Sequence, residues 1–457
     1  MMDEDLIKFF VSIVPRGCYG DIRMGEREGT LISVENGAVR SVSAIKSSGF
    51  GLRLMKNGVW GFAASTETSK KAIKTAAEKA HGIIINRPKG ASRLRIEPSM
   101  NVADIKPGWT IDVRSVDVKD KLDIAMAADS AARGKDTVAT MSVYEDAVTQ
   151  WLLGNSCGSR ISFYDSKPRL SVASFVRDSS STLSFRNSVS GSGGFEVFSG
   201  DIPAKTGREA LETVRHLIGA RPVSGGKYDV VLDYSMTGVY THEAFGHAAE
   251  ADGVLAGASI LEGKLGKRVG GENVTIVDDP TLKGGRGSFP FDQEGTAAKK
   301  RVIVDRGVMK SYLHTLETAK RMGAEPNGAA RAMDYAHRPI ARMSNTFIAP
   351  GDFKEDMLDG IKLGVAFYSF QYGYVEPGSG KFMFKSQYGR MIRNGRLAEF
   401  VRDAALTGGT LDILNKIDAV GTTLRFDDGT CGKEGQWVPV SSGGPNIRVR
   451  GVVVGGQ

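Results

Sequence analysis

The hydrophobic and polar positions of this chain change period several times, and each change predicts an element. From about Ile13 to Phe62, short apolar-polar alternations are separated by turns, and two Asn-Gly pairs, Asn36-Gly37 and Asn57-Gly58, stand where tight hairpins favour them. The period then lengthens. Ile73, Ala76, Ala77 and Ala80 fall at i, i+3, i+4 and i+7, one stripe of a helix that Thr66 or Thr68 can cap. Val118, Leu122, Ala125 and Met126 repeat the stripe and predict a second helix over about 116–132. Both helices are expected to cover a sheet. Between about 137 and 198 the period returns to two, as in Arg160-Ile-Ser-Phe-Tyr164 and Leu170-Ser-Val-Ala-Ser-Phe-Val176, the pattern of an antiparallel meander. Its tail, Ser188 to Gly194, reads as a plain surface turn, and an amphipathic helix follows over roughly 208–218.

Gly219-Ala-Arg-Pro-Val-Ser-Gly-Gly226 breaks all periodicity and marks the expected domain boundary. Beyond it, Tyr228-Asp-Val-Val-Leu-Asp233 is nearly continuous in apolar character, which predicts a strand buried on both faces. The rest is mostly short strands and glycine-rich turns, for example Val274–Val277, Val302–Val304 and Val365–Tyr372. There is no periodic internal repeat and no heptad pattern. The fold class that follows is α+β. Residues 1–220 form a mixed region of antiparallel strands and covering helices, divisible into about 1–110 and 111–220, and residues 221–457 form a β-rich domain.

Composition narrows the setting. With 457 residues, 41% hydrophobic and 25% charged, the chain can bury two or three ordinary cores. No apolar run approaches a membrane span, and Met-Met-Asp-Glu-Asp-Leu at the start is acidic where a signal peptide is basic, so a cytoplasmic protein is expected. Cys18, Cys157 and Cys431 lie too far apart in sequence to suggest a disulfide framework. The net charge of +8 comes from 60 basic and 52 acidic residues spread along the chain, without the basic block of a nucleic-acid arm, so specific nucleic-acid binding is not expected.

The chemistry concentrates in Thr241-His-Glu-Ala-Phe-Gly-His-Ala-Ala-Glu250, where two of only six histidines flank a glutamate. In His-Glu-x-x-His, two histidines four apart on one helix face reach one Zn²⁺ and the glutamate is the general base. Here the spacing is five, which a regular helix turns through roughly 140° beyond a full turn, too divergent for one ion. A distorted helix is therefore predicted, a π-bulge that Gly246 permits. His242 and His247 leave a third protein ligand to find, and Glu250, Asp252 and Cys431 are the candidates.

Together with its surroundings, this stretch resembles the TldD/PmbA family of metallopeptidases, whose catalytic members carry His-Glu-x-x-x-His. Ser48-Gly-Phe-Gly-Leu-Arg-Leu-Met55 with Gly58-Val-Trp-Gly-Phe-Ala-Ala64 resembles the family's N-terminal pattern, and Asp428-Gly-Thr-Cys-Gly-Lys-Glu-Gly-Gln-Trp-Val-Pro-Val440 resembles its terminal Cys-Gly-Lys segment. The resemblance implies one Zn²⁺ per chain held by His242, His247 and Cys431, with Glu250 and Asp252 orienting the histidines. Glu243 is then the base that takes a proton from the water zinc activates and passes it to the leaving amine. Arg286, His314, Arg342 and Asn345 lie in segments that resemble the surroundings of the family's site and are candidates for substrate or oxyanion contacts. His81 and His216 read as surface residues, and His337 has no assigned role. The implied substrate is an unfolded or extended peptide, and the implied assembly is a homodimer, or a heterodimer with a PmbA-type subunit lacking the motif. Two other readings are a noncatalytic regulator of the gyrase-modulator type and a metal-dependent amidase acting on small modified peptides.

Overall fold

The computed structural model describes residues 3–86, 94–96, 98–179, 181–354 and 356–455. The N-terminal half opens with helix α1 (Glu4–Ile13), which Asp3 caps, and with three strands joined by tight turns: β1 (Tyr19–Glu35), β2 (Ala38–Lys56) and β3 (Val59–Ser65). Both Asn-Gly pairs are the turns. Asn36 and Gly37 take φ of 53° and 75°, and Asn57 and Gly58 take 54° and 76°, the two positive values that a type I′ hairpin requires. The strands are longer than the short ones expected, because β1 is paired over most of its length by β2 on one edge and by β5 on the other.

Helix α2 (Lys70–Ile85) buries the predicted stripe, Ile73, Ala76, Ala77 and Ala80, but its cap is Ser69, whose hydroxyl accepts from Ala72 N–H at 3.1 Å. Strand β4 (Val102–Asp104) and helix α3 (Val118–Ala131) follow. Of the predicted stripe, Leu122, Ala125 and Met126 pack against the core and only Val118 does not. Val118 is 47% exposed, and the buried face carries Lys121 and Asp129 beside Ala125 and Ala128. Lys121 can be buried because its ammonium lies 2.8 Å from Asp146. Strands β5 (Thr137–Asn155), β6 (Arg160–Ser166), β7 (Arg169–Asp178) and β8 (Ser181–Ser190) complete an eight-stranded sheet. It departs from a plain meander, since β6 and β7 share one edge of β5 end to end. The segment after β8 is also no plain surface turn. Ser192 N–H donates to Gly284 O, and at the end of β8 itself Ser188 Oγ donates to Asp428, so this stretch ties the sheet to the C-terminal half. Helix α4 (Ile202–Arg215) starts about six residues earlier than expected, with Pro203 in its first turn.

The C-terminal half runs through β9 (Arg221–Pro222), β10 (Gly226–Leu232), helices α5 (Tyr234–Val239) and α6 (Ala251–Leu255), β11 (Ile276–Asp278), β12 (Arg301–Asp305), β13 (Val308–Met309), α7 (Leu316–Met322), β14 (Ala330–Arg331), β15 (Ile340–Ala341) and β16 (Asn345–Ile348). It ends with β17 (Leu363–Glu376), β18 (Lys381–Arg393), β19 (Arg396–Arg402), β20 (Ala405–Gly409), α8 (Thr410–Lys416), β21 (Ile417–Val420), β22 (Arg425–Lys433), β23 (Gln436–Gly444) and β24 (Ile447–Gly455). Strands β17, β10, β24, β20 and β18 are neighbours in that order, and β18 pairs back onto β17, so the sheet closes into a barrel. A second sheet runs β13-β12-β11-β16-β23-β22. On β10, Val230 and Leu232 enter the main core while Val231 enters a smaller one, so the end of this strand is buried on both faces as predicted.

That main core lies between barrel and sheet. Phe367, Phe384 and Val454 reach it from the barrel, Ile276, Ile348 and Val440 from the sheet, and Met236, Tyr240, Ala244 and Phe245 from the helix carrying the histidines. The helix approaches so closely that a Cβ on Gly238 would sit 2.5 Å from Gly443 N. The chain is thus α+β, with the motif helix wedged between two β layers.

Candidate metal centre

Strand β10 delivers the chain to Asp233, whose carboxylate caps α5 by accepting from Met236 N–H at 2.8 Å. After one and a half turns the helix widens. Tyr240–Gly246 is π-helical, and the N–H of His247 donates to the carbonyl of His242, a five-residue step that stacks the two imidazoles on one face. The predicted distortion is present, and side chains stabilise it. Thr410 Oγ1 donates to Ala244 O at 3.0 Å, and Thr241 Oγ1 donates to Thr237 O at 2.7 Å, a back-bond that bends helices. Gly246 serves differently from the expectation. Its φ of −61° and ψ of −47° are ordinary helical values, so no special backbone freedom is used; a Cβ there would lie 2.0 Å from Met343 Sδ. The glycine makes room for a methionine.

Ligand atoms of His242, His247 and Cys431 all lie within 4.8 Å of one another. The two imidazole rings are 5.2 Å apart and nearly perpendicular, and Cys431 Sγ is 3.4 Å from His247 Nε2. His242 and Cys431 are each 3% exposed, while the Glu243 side chain, with a carboxylate oxygen 3.6 Å from His247 Nε2, is 35% exposed. The cluster therefore opens to solvent on the side of the glutamate.

The electrostatics follow from this packing. Burial would raise the Cys431 thiol, but His242 and His247 outweigh it and hold the sulfur down to about 5, poised as a thiolate. Burial pulls the His247 imidazole down, and Glu250 and Cys431 more than reverse it. Glu250 accepts from His247 Nδ1 at 3.0 Å, and burial, which would raise it, loses to His247 and Lys433, which bring it to about 2. Lys433 Nζ in turn lies 3.0 Å from Glu250 and 2.7 and 2.8 Å from the two oxygens of Asp252. Glu250 thus orients a histidine, whereas Asp252 contacts Lys433 and touches neither histidine ring. Lys433 carried no role in the sequence reading. The available signal was its i, i+2 spacing from Cys431, which puts both on one face of a strand.

Two imidazoles and a thiolate are a donor set for zinc. The fit is supported by His242 Nδ1, a buried nitrogen with no hydrogen-bond partner among the described residues.

The other candidates fall around this centre rather than in it. Arg342 is fully buried and donates through Nη2 to Cys431 O at 2.5 Å, bracing the strand from behind. Arg286 donates to Gly429 O at 2.8 Å and to Thr430 Oγ1 at 3.3 Å, one residue short of the cysteine. Asn345 donates to Asp279 O and Ser288 Oγ and accepts from Gly287 N–H, so its amide is fully engaged in holding a loop. His314, pushed down to about 4 by burial, has its Nδ1 3.3 Å from Thr318 Oγ1. None of these four is brought into the His-His-Cys cluster. His216 is exposed and stacks on Phe400, His81 is half-buried, and His337 Nδ1 donates to Asp334 at 2.7 Å.

The comparisons with known proteins agree with this architecture. Family models match residues 20–84 as PmbA/TldA metallopeptidase domain 1, 111–218 as the central domain and 225–456 as the C-terminal domain. The chain belongs to the PmbA/TldA metallopeptidase family. A curated relative called a metalloprotease in Methanothermobacter thermautotrophicus is 36% identical over all of this chain and 99% of its own length. A zinc metalloprotease TldD homolog of Saccharolobus solfataricus is 29% identical over 89% of this chain and 90% of its own. Among solved structures, TldE from Thermococcus kodakarensis covers 99% of both chains at a TM-score of 0.81, with 16% identity. A Thermotoga maritima protein, whose description names a DNA gyrase, reaches 0.82 at 22% identity over 99% of this chain and all of its own. At those identities the likeness is one of fold. In this PmbA/TldA-family chain no helix among the described residues is long and apolar enough to cross a membrane.

Proposed function

We propose that this protein is a zinc-dependent peptidase that hydrolyses amide bonds in unstructured peptides, with His242, His247 and Cys431 holding one Zn²⁺ and Glu243 as general base. The observation that carries this reading is the convergence of three ligand side chains from β22 and a rewound helix, with a carboxylate beside them on the solvent side. A zinc ion held there would supply Lewis acidity, polarising water and the scissile carbonyl. The chain's own groups do the rest. Glu243 takes the proton of the attacking water and delivers it to the leaving amine, for which an exposed carboxylate adjacent to the cluster is placed. Glu250 keeps the proton of His247 on Nδ1, leaving Nε2 free as a ligand, as carboxylate partners of metal-bound histidines do. Arg342 and Arg286 hold the Cys431 strand in position.

Extended substrates suit a β-rich domain, which can pair a sheet edge with a peptide backbone. The family resemblance supports a working particle of two subunits, either two copies or one copy with a PmbA-type subunit lacking the motif. The three cysteines form no disulfide among the described residues, which supports a cytoplasmic setting.

The decisive experiment compares zinc-loaded wild type with Glu243→Gln on a mixture of unfolded peptides, followed by mass spectrometry. Loss of the base should slow cleavage by about 10² or more. Equal cleavage by the two proteins, or none by the wild type alone or with a PmbA-type partner, would refute the reading. Light scattering on the active fraction tests the two-subunit particle, and an active monomer would contradict it.

A further inference from the structure

Behind the metal cluster, across the β22–β23 ribbon, lies a cleft with its own chemistry. Side chains alternate faces along a strand, so Cys431 and its partner Val438 share one face of the ribbon, while Thr430 and Pro439, paired one step away, take the other. Thr430, Pro439 and Trp437 form one wall of a cleft of about 350 Å³, and Trp151 and Phe163 from the N-terminal sheet form the opposite wall.

The charges in this cleft do not balance. Four cations line it. Arg27 pairs with Glu145, and Lys167 pairs with Asp165. Arg286 and Arg331 have no carboxylate partner among the described residues. Arg286 donates to Gly429 O and Thr430 Oγ1, and its Nε is buried without a partner. Arg331 donates to Met343 O and Pro439 O and lies 5.1 Å over the ring of Phe289. They are only 6% and 8% exposed. The remaining carboxylate of the cleft, Asp292, accepts backbone N–H groups from Glu294, Thr296 and Ala330 and forms no ion pair with either arginine among the described residues. Removing a guanidinium from water without an anion is costly, and the planar fork of Arg matches a carboxylate in shape as well as charge. The apolar surface beside them, Phe289, Phe163 and the 59% exposed Trp437, offers contact to a hydrocarbon or aromatic side chain, which a phosphate would leave unused.

We propose that this cleft is a carboxylate-binding subsite that takes the C-terminal residue of an apolar peptide, its α-carboxylate at Arg286 and Arg331 and its side chain against Phe289 and Trp437. The proposal rests on the peptidase reading and adds a specificity element to it, an anchor for free chain ends on the reverse side of the strand that carries Cys431. The same chemistry could come from a peptide terminus or from a single amino acid, such as a released product.

The test uses the full-length, zinc-loaded Glu243→Gln protein, so that no probe is consumed, and follows binding by calorimetry and tryptophan fluorescence. Three probes are titrated: N-acetyl-leucyl-phenylalanine as the free acid, the same compound as its C-terminal amide, and free phenylalanine. The expected result is at least tenfold tighter binding of the acid than of the amide. Free phenylalanine binding as tightly as the acid would identify the single amino acid as the source, and weaker binding would identify the peptide terminus. Arg331→Met should abolish the preference for acid over amide, with zinc content and melting temperature as controls for folding. Equal affinity for acid and amide, or no binding of either, overturns the proposal without a further variant. Because the readout is binding, its failure leaves peptide cleavage by the wild type untouched, and failure of cleavage leaves the preference for acid intact.

Discussion

The two histidines of the cluster are held in opposite ways. His247 is tethered by charge: Glu250 takes its Nδ1 proton, and Lys433, on the strand that carries Cys431, holds Glu250. His242 has no such tether, since its Nδ1 has no partner among the described residues and its position comes from burial beside the main core. One ligand is thus aimed by a network reaching across two elements and the other by packing of its own helix. The lesson is that a rewound helix suffices to bring two imidazoles to one face, whereas coupling that face to a distant cysteine requires a network from the cysteine's strand.

The comparison is broken most severely by removing the point where both sides meet. Cys431→Ser replaces a thiolate with a poor zinc ligand, and zinc retained after dialysis should fall by more than the roughly 100-fold that loss of an outer partner costs. Retention at wild-type level would mean that the third ligand lies elsewhere. On the charge-tethered side, Glu250→Gln should weaken zinc binding by about 10- to 100-fold and lower turnover with it. Its pH dependence has a defined sign. A carboxylate held down to about 2 in the folded state contributes stability that is full above its ordinary value near 4.5 and is lost as pH falls toward 2. In the zinc-free proteins, the stability difference between wild type and Glu250→Gln should therefore shrink as pH falls over about 4.5 to 2, as urea melts at several pH values can show. A gap that widens on acidification would contradict the assignment.

The packing-held side is tested at Gly246. An alanine there must move Met343, whose sulfur would lie 2.0 Å from the new Cβ, at a cost of about 1–3 kcal/mol. Met343→Ala should restore part of that loss in the double variant. If Gly246→Ala were instead neutral and the double variant no better, steric fit would not be the reason for glycine at this position.

What could be read from the sequence, and what could not, divides along the same line. Local patterns were legible: the Asn-Gly hairpins, the stripe of α2 and the five-residue step that forces a π-turn all depend on residues near in sequence. The closure of the barrel was not, because the pairing of β10 with β17 and with β24 depends on register across the chain. The burial of Lys121 on α3 was not foreseen, because it is tolerated there by Asp146 and Thr30, on other elements. At the site, His242, Glu243 and His247 were readable as a motif, and Cys431 was preferred over Glu250 and Asp252 through the family resemblance of its segment. Arg342 was not assigned its bracing part, since an arginine donating to a backbone carbonyl leaves no periodic trace, and the i, i+2 spacing of Lys433 from Cys431 gives a shared face without naming the acids that hold it.

Lys433 offers the finest test of the tether. It touches neither histidine, so its influence on the cluster must pass through Glu250 and Asp252, and the effect of its loss should be smaller than that of Glu250. Burial lowers its ammonium, but Glu250 and Asp252 more than compensate and raise it, so its contribution is full below about 10.5 and lost only at higher pH. With the acid limit set by Glu250, the Glu250–Lys433 pair should stay charged across the whole neutral range. Lys433→Met should then weaken zinc binding by about tenfold near pH 7, toward the lower end of the range for outer partners. Lys433→Arg keeps the charge and should recover most of it, while in the Glu250→Gln background Lys433→Met should add little, because the link it acts through is already cut. A full additional loss in that background would show that Lys433 acts on the strand itself, through its bond to Ala341 O, and that the two ligand sides are joined by backbone packing after all.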